Sequence, residues 1–405
     1  MTEPQIPKLT DTLIELGGLG TRLWRGGLAV GIAALAGALA LGLAAGDHLR
    51  HFSFSWLVSF AFFLSLSLGA LVFLPIQFVT RASWSVVIRR LVEVMAMALP
   101  FLALLLLPVL LNLQQVYEWA SPQPQHLTPE LAAHKAPFLN PVFFVVRWVV
   151  NFAIWTWLAH FYWRTSRRQD RTGDQALTLR MVNRSGPALI LFALTCSLAA
   201  MDLLMTLDPA WFSTIFGVYF FAGGFVAFHA ALTLITMGLQ RTGRLQRLVS
   251  AEHFHDYGKL MFAFTFFWAY IAFSQYMLYW YGNIPEETLW YLVRQSSGWG
   301  AIGLLLAGGA FLVPFLGLIS RFAKRNRKLL AFWAAWILVM QWFNLYWVAM
   351  PVFSPDHVPL GLLDALCLLS VGGFWLAVIA KLGAVASLVP VNDPRLPESL
   401  GFENA

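Results

Sequence analysis

The chain has 405 residues, 59% of them hydrophobic and 12% charged, about half the charged share usual for soluble domains. So little charge excludes an ordinary soluble fold and points to a surface that faces lipid. The formal charge of +7 sits in short basic clusters between apolar runs, a pattern that marks membrane topology rather than a nucleic-acid face.

In chain order, residues 1–26 form a polar segment carrying Lys8, Arg22 and Arg25. Apolar runs follow at 27–46, 54–79, 92–114, 141–163, 187–206, 211–238, 258–281, 298–319, 328–350 and 361–386. Each is long enough for a bilayer-crossing helix, which takes about 20 residues. The first run exceeds the ~7–15 residues of a signal-peptide core, so it is expected to remain as the first span. Pro75, Pro100, Pro108 and Pro314 fall within spans, where neighbouring helices can re-satisfy the freed backbone groups. The expected fold is an all-α integral membrane protein of about ten helices over 27–386. A polar, extended tail is expected over 387–405, with no soluble domain and no internal repeat.

The connections alternate in charge. One set carries twenty-one Lys and Arg residues: the N-terminal segment, 81–90, 164–184, 241–247, 321–328 and Arg395. The other set carries three, Arg50, Lys135 and Arg294. Basic connections stay in the cytoplasm, so an even number of spans with both termini cytoplasmic is expected. The longest outer connection, 115–140, contains Ser121-Pro122-Gln123-Pro124 and is expected on the outer surface or on a partner.

Cys196 and Cys367 both lie in apolar runs. Two such cysteines give no disulfide framework, zinc site, iron–sulfur ligand set or c-type haem attachment. Redox chemistry would therefore need a partner subunit or a diffusible cofactor. His253 and His255 are two apart in a connection, a poor spacing for a metal site. His160 and His229 lie within spans and raise a b-type haem, but two unpaired histidines are weak evidence for one.

Ionisable groups inside spans are costly, so each marks pairing or function. Glu93, His160, His229 and Lys259 fall in the cytoplasmic half. Arg147, Asp202, Asp208, Gln275, Asn344 and Asp364 fall in the outer half. Asp208-Pro209 reads as a turn or cap before the sixth span, whereas no turn explains Asp202. Arg147 needs an acidic partner, for which Asp202, Asp208 and Glu118 are the candidates. Tyr270, Ser274 and Gln275 roughly share a helix face and can hold waters or a quinone carbonyl, or simply bond neighbouring helices. Lys259 lies near the membrane boundary, where a lysine can snorkel. The candidate proton path thus takes Glu93, His229 and Lys259 on the cytoplasmic side, and Asp202, Tyr270, Gln275, Asn344 and Asp364 on the outer side. The candidate quinone contacts are Asp202, Ser274 and Gln275, and the candidate structural ion pair joins Arg147 to Asp208 or another of these acids.

Four stretches carry a family resemblance. LDPAWFSTIFGVY (Leu207 to Tyr219) resembles the polysulfide-reductase-like, NrfD-type membrane subunits of bacterial alternative complex III. DYGKLMFAFTFFWAYIAFSQYMLYWYGNIPEET (Asp256 to Thr288), KAPFLN (Lys135 to Asn140) and RTSRRQD (Arg164 to Asp170) resemble the smaller of that complex's two such subunits, the ActF type. The resemblance implies two four-helix bundles plus two further helices in a bacterial inner membrane. It implies a complex that oxidises quinol and passes electrons to iron–sulfur and c-type haem subunits, then to a soluble carrier or a terminal oxidase. The larger NrfD-like sister subunit would hold the clearest quinol site. This subunit would carry no prosthetic group and act structurally or in proton conduction. Two alternatives stand beside it: a direct quinone-binding subunit, and a secondary transporter. The paired broken helices of a transporter have no convincing match here, although Gly223-Gly224 and Gly308-Gly309 occur.

Overall fold

The computed structural model describes residue 9 and residues 13–122 and 127–404; Lys8 and Gln123-Pro124 of the sequence reading lie outside them. Among the described residues the chain is all-α, with ten helices long and apolar enough to cross a membrane. They are α1 Gly18–Ala44, α2 Arg50–Val79, α3 Val86–Leu111, α4 Pro141–Thr172, α5 Ala176–Leu207, α6 Phe216–Arg241, α7 Ala251–Gly282, α8 Trp299–Leu318, α9 Arg327–Phe353 and α10 Leu362–Gly383. The protein is a multi-pass membrane protein. The first helix begins nine residues before its apolar run, so Arg22 and Arg25 belong to it rather than to a preceding tail.

α2 is buried along its whole apolar length, which makes it the axis of the molecule. It packs with α3, α4 and α5 as one four-helix bundle, while α6, α7, α8 and α9 form a second. α2 and α6 join the bundles, and α1 and α10 pair along their length and lie against α2. Small residues allow both seams, as expected where lipid gives helices no hydrophobic drive to associate. A Cβ on Gly27 would stand 2.7 Å from the Gly373 carbonyl oxygen, and one on Gly373 would stand 2.7 Å from that of Gly27.

α3 is not the single rod expected over 92–114. It breaks into Arg89–Ala96, Leu99–Leu105 and Leu107–Leu111. Pro100 and Pro108 sit at the starts of the latter two pieces, where a missing N–H is tolerated. α8 contains a π-helical stretch, Leu306–Leu312. The ends of the described chain meet at the Arg-rich end of the bundles, where the Leu388 amide donates to the Ile14 carbonyl. The segment after Pro390 is not extended. It turns into a short helix, Leu396–Leu400, whose Leu396 and Ser399 are buried. Its Ser399 hydroxyl donates to the Trp84 carbonyl and accepts from the Val87 amide.

Candidate functional site

Polar side chains gather at three places inside the bundles. The first lies in the bundle of α2 to α5, at its Arg-rich end. Arg89 and Arg90, one turn before Glu93 on α3, turn inward rather than to solvent, and all three are buried. Arg90 donates to Glu93 at 2.9 Å and also holds Asp170 of α4. Arg89 reaches Glu93 at 3.6 Å and pairs with Asp393 from the C-terminal segment. The Asn392 amide side chain binds the Asp170 carbonyl at 2.7 Å, closing the cluster. Phe78 and Trp163 lie against the two guanidinium groups. Two cations thus face three carboxylates, so each buried guanidinium has an ion-pair partner, the condition for burying charge at all, and one carboxylate is in excess.

The second site lies in the same bundle toward the Arg-poor end. Arg147 of α4 meets Asp202 of α5 through Nε and Nη2, at 2.8 to 3.1 Å over both carboxylate oxygens. Its Nη1 donates to the Phe138 carbonyl at 2.7 Å, and Phe138 and Phe143 cover the guanidinium. The partner of Arg147 is therefore Asp202, and the Arg147–Asp208 pairing is not formed. Asp208 instead accepts the Ala210 amide at 3.1 Å, the turn role expected of Asp-Pro. Nearby, Lys135 donates to the Pro209 carbonyl. Burial pushes its ammonium down, with the charge of Asp208 opposing that shift. The Arg-poor connection around Lys135 thus packs on its own chain.

The third site fills the second bundle. Gln275 of α7 accepts from the Ser213 hydroxyl at 2.8 Å and donates to the Tyr291 oxygen at 3.0 Å. Tyr219 of α6 donates to the Asn344 side-chain oxygen, and Asn344 of α9 donates to Gln341 at 3.3 Å. Gln341 and Asn344 border a cavity of about 20 Å³ with Thr265 and Trp268, room for about one water molecule. Ala310 of the π-helical stretch forms part of its wall; such stretches often occur at functional positions. Deeper along α6, His229 is fully buried, its Nδ1 2.8 Å from the Phe225 carbonyl oxygen. Phe73, Phe225, Phe228 and Phe264 surround its ring.

These positions regroup the residues singled out in the sequence. Asp202 belongs to the first bundle and Gln275 to the second, so they do not share a site with each other. Tyr270 is 58% exposed whereas Gln275 is 3% exposed. The two do not share an inward face, because five residues turn a helix through about 140°. Ser274 is half-buried beside Gln275. Lys259 is exposed at the Arg-rich rim, held by Asp256 and by Asn404 at 2.6 Å, so it snorkels rather than lining an interior route. Asp364 accepts from the Gly361 amide at 2.9 Å and from Ser55 at 2.7 Å, which ties the start of α10 to α2. His160 is exposed on α4 and does not face His229.

Arg294 gave no such signal in the sequence, where it reads as an outer-loop charge. It is 2% exposed and donates to the carbonyls of Trp290, Trp347 and Val348. Its guanidinium stacks 3.5 Å from the Trp290 ring centre. Burial pushes it down to about 9, still charged at neutral pH. Asp170 and Asp393 were missed for the same reason, each lying in a segment read as solvated. Among the described residues, no three His, Cys, Asp or Glu side chains are grouped to hold a metal ion. Comparison with known protein families and with curated proteins found no match for this chain.

Proposed function

We propose that this chain is a haem-free integral subunit of a quinol:electron-acceptor oxidoreductase in the bacterial inner membrane, with both termini cytoplasmic. In that reading it braces the complex and carries part of a proton route through its second bundle. The sequence resemblance to the smaller NrfD-like subunit of alternative complex III supplies the context. Iron–sulfur, c-type cytochrome and larger NrfD-like subunits would be its partners, with quinol oxidised beside it.

The observation that carries the proton part is the polar interior of α6 to α9. Two short hydrogen-bonded chains, Ser213–Gln275–Tyr291 and Tyr219–Asn344–Gln341, occupy the Arg-poor half of that bundle. Hydroxyls and water pass a proton by exchanging donor and acceptor roles, while the Gln275, Asn344 and Gln341 amides, whose oxygens accept and whose nitrogens donate, hold them in line. The cavity beside Gln341 and Asn344 has room for such a water. The four phenylalanines around His229 separate this half from the other end, so the route is a half-path that needs a gate or a partner to complete it. Asp202, with both oxygens engaged by Arg147, suits bracing rather than a quinone contact.

Purification of the chain from its native membrane tests the context. Co-purifying iron–sulfur and multihaem subunits are expected, and a chain that isolates alone and moves a solute in liposomes rejects the assignment. In the assembled complex, Gln275→Leu is expected to lower proton uptake per electron while quinol oxidation continues. Unchanged proton stoichiometry removes the conducting role and leaves the bracing one.

A further inference from the structure

A basic recess opens where α6 ends and α9 begins, at the Arg-rich membrane boundary. It measures about 430 Å³ and is bordered by Arg241, Arg247, Arg327 and Lys328, with Gln240 and Gln246 beside them. Among the described residues, no acidic side chain borders it. This differs from other cations at the same end: Arg89 and Arg90 hold carboxylates, Arg325 holds Glu252 at 3.0 Å, and Arg244 donates to the Glu15 and Leu16 carbonyls. Four like charges facing one concavity repel one another, and although Arg327 also lies 5.1 Å from the Phe254 ring centre, a shared anion lowers the energy of all four.

An apolar groove of about 420 Å³ lies further along the same two helices, between α6, α9, α2 and α10. Its α6 wall is Ala231, Leu234 and Ile235, and its α9 wall is Leu338, Val339 and Trp342. The two features share helix faces. Leu234 and Arg241 are seven residues apart on α6, and Lys328, Ala331, Ala335, Leu338 and Trp342 follow on α9 at spacings of three and four. Ala331 and Ala335 keep the surface low between recess and groove. Lys328 to Trp342 spans about 21 Å of helix, more than one leaflet of a hydrocarbon core roughly 30 Å thick.

We propose that recess and groove together form a binding site for an anionic phospholipid of the leaflet at the Arg-rich end. The headgroup phosphate lies among Arg241, Arg247, Arg327 and Lys328, and an acyl chain lies in the groove toward Trp342. A headgroup with two phosphates, as in a diphosphatidylglycerol, matches four cations better than one with a single phosphate. The site rests on charge, shape and depth alone and is independent of the electron-transfer reading.

The test uses the full chain in neutral detergent, titrated with tetraoleoyl diphosphatidylglycerol or dioleoyl phosphatidylcholine and read by native mass spectrometry. The anionic lipid is expected to be retained at concentrations about tenfold or more below those of the zwitterionic one. Replacing Arg241, Arg247, Arg327 and Lys328 together by Gln is expected to abolish that preference. Ala335→Trp, which fills the passage and leaves every charge in place, is expected to weaken retention of the anionic lipid. Inorganic phosphate in excess is expected not to displace it. Equal retention of both lipids by the unaltered protein overturns the proposal without reference to any variant. So does displacement by phosphate alone, which makes the recess a free-anion site, or retention unaffected by Ala335→Trp, which separates it from the groove.

Discussion

Arg147 and Asp202 form a forked ion pair across α4 and α5, with Nε and Nη2 spread over both carboxylate oxygens and each side chain about 5% exposed. The pair neutralises two charges that lipid would otherwise reject, and it fixes the register of the two helices.

Breaking that pair from one side leaves an uncompensated buried charge. Asp202→Asn is therefore expected to cost about 3–5 kcal/mol, and Arg147→Met a similar amount. The double replacement Arg147→Met/Asp202→Leu is expected to recover most of the loss, since a well-packed apolar pair can match a buried salt bridge. Unfolding of all four proteins in one detergent measures the cycle. Additive losses would mean that the two residues act separately.

Arg294 is a different kind of buried cation, because its hydrogen-bond partners are carbonyls rather than a carboxylate. It pins the helix Pro285–Gln295 to α9 by donating to Trp347 and Val348, while its third bond goes to Trp290 one turn back on its own helix. Lysine keeps the charge but lacks the planar fork and the stacking surface. Arg294→Lys is expected to cost about 2 kcal/mol, the scale of one or two charged hydrogen bonds, and to speed amide exchange in 285–295. A melting temperature and exchange pattern like those of the unaltered protein would show that the fork is dispensable.

The ten spans were legible in the sequence because apolar length is a one-dimensional signal. The destinations of the charges were not. Arg89 and Arg90 read as loop cations, yet their i,i+3 and i,i+4 spacing to Glu93 already placed all three on one helical face. Nothing in the sequence pointed to Asp393, 300 residues away, because that contact exists only once the C-terminal segment folds back. Tyr270 and Gln275 show the opposite error: both are polar residues of one span, but neighbouring helices cover only Gln275.

The contact between Arg89 and Asp393 makes the C-terminal segment part of the bundle. Ending the chain after Pro390 removes Asp393, Ser399 and Asn404 together, and with them the anchors at Arg89, Val87 and Lys259. Amide exchange over residues 84–93 is expected to rise by roughly tenfold or more, the equivalent of about 1.4 kcal/mol. Asp393→Asn alone is expected to give part of that rise. Exchange in the shortened chain that matches the full chain would mean that the segment rests on the bundle without stabilising it.

Tyr219 and Asn344 allow packing and proton transfer to be separated. Asn344→Leu strands a fully buried Tyr219 hydroxyl, at a cost of about 1–3 kcal/mol. Tyr219→Phe combined with Asn344→Leu removes both partners of that bond and leaves only the Gln341 oxygen short of its 3.3 Å donor, beside a cavity with room for a water, so most of the lost stability is expected to return. If the hydrogen-bonded chain only packs the bundle, the double replacement restores that stability and proton uptake is unchanged. If it carries protons, the double replacement restores stability but not proton uptake, because an apolar stretch now stands between Gln341 and the Arg-poor end. The decisive comparison is proton uptake per electron in the complex that carries both replacements, set against its melting temperature. Normal uptake at normal stability would limit Tyr219 and Asn344 to packing.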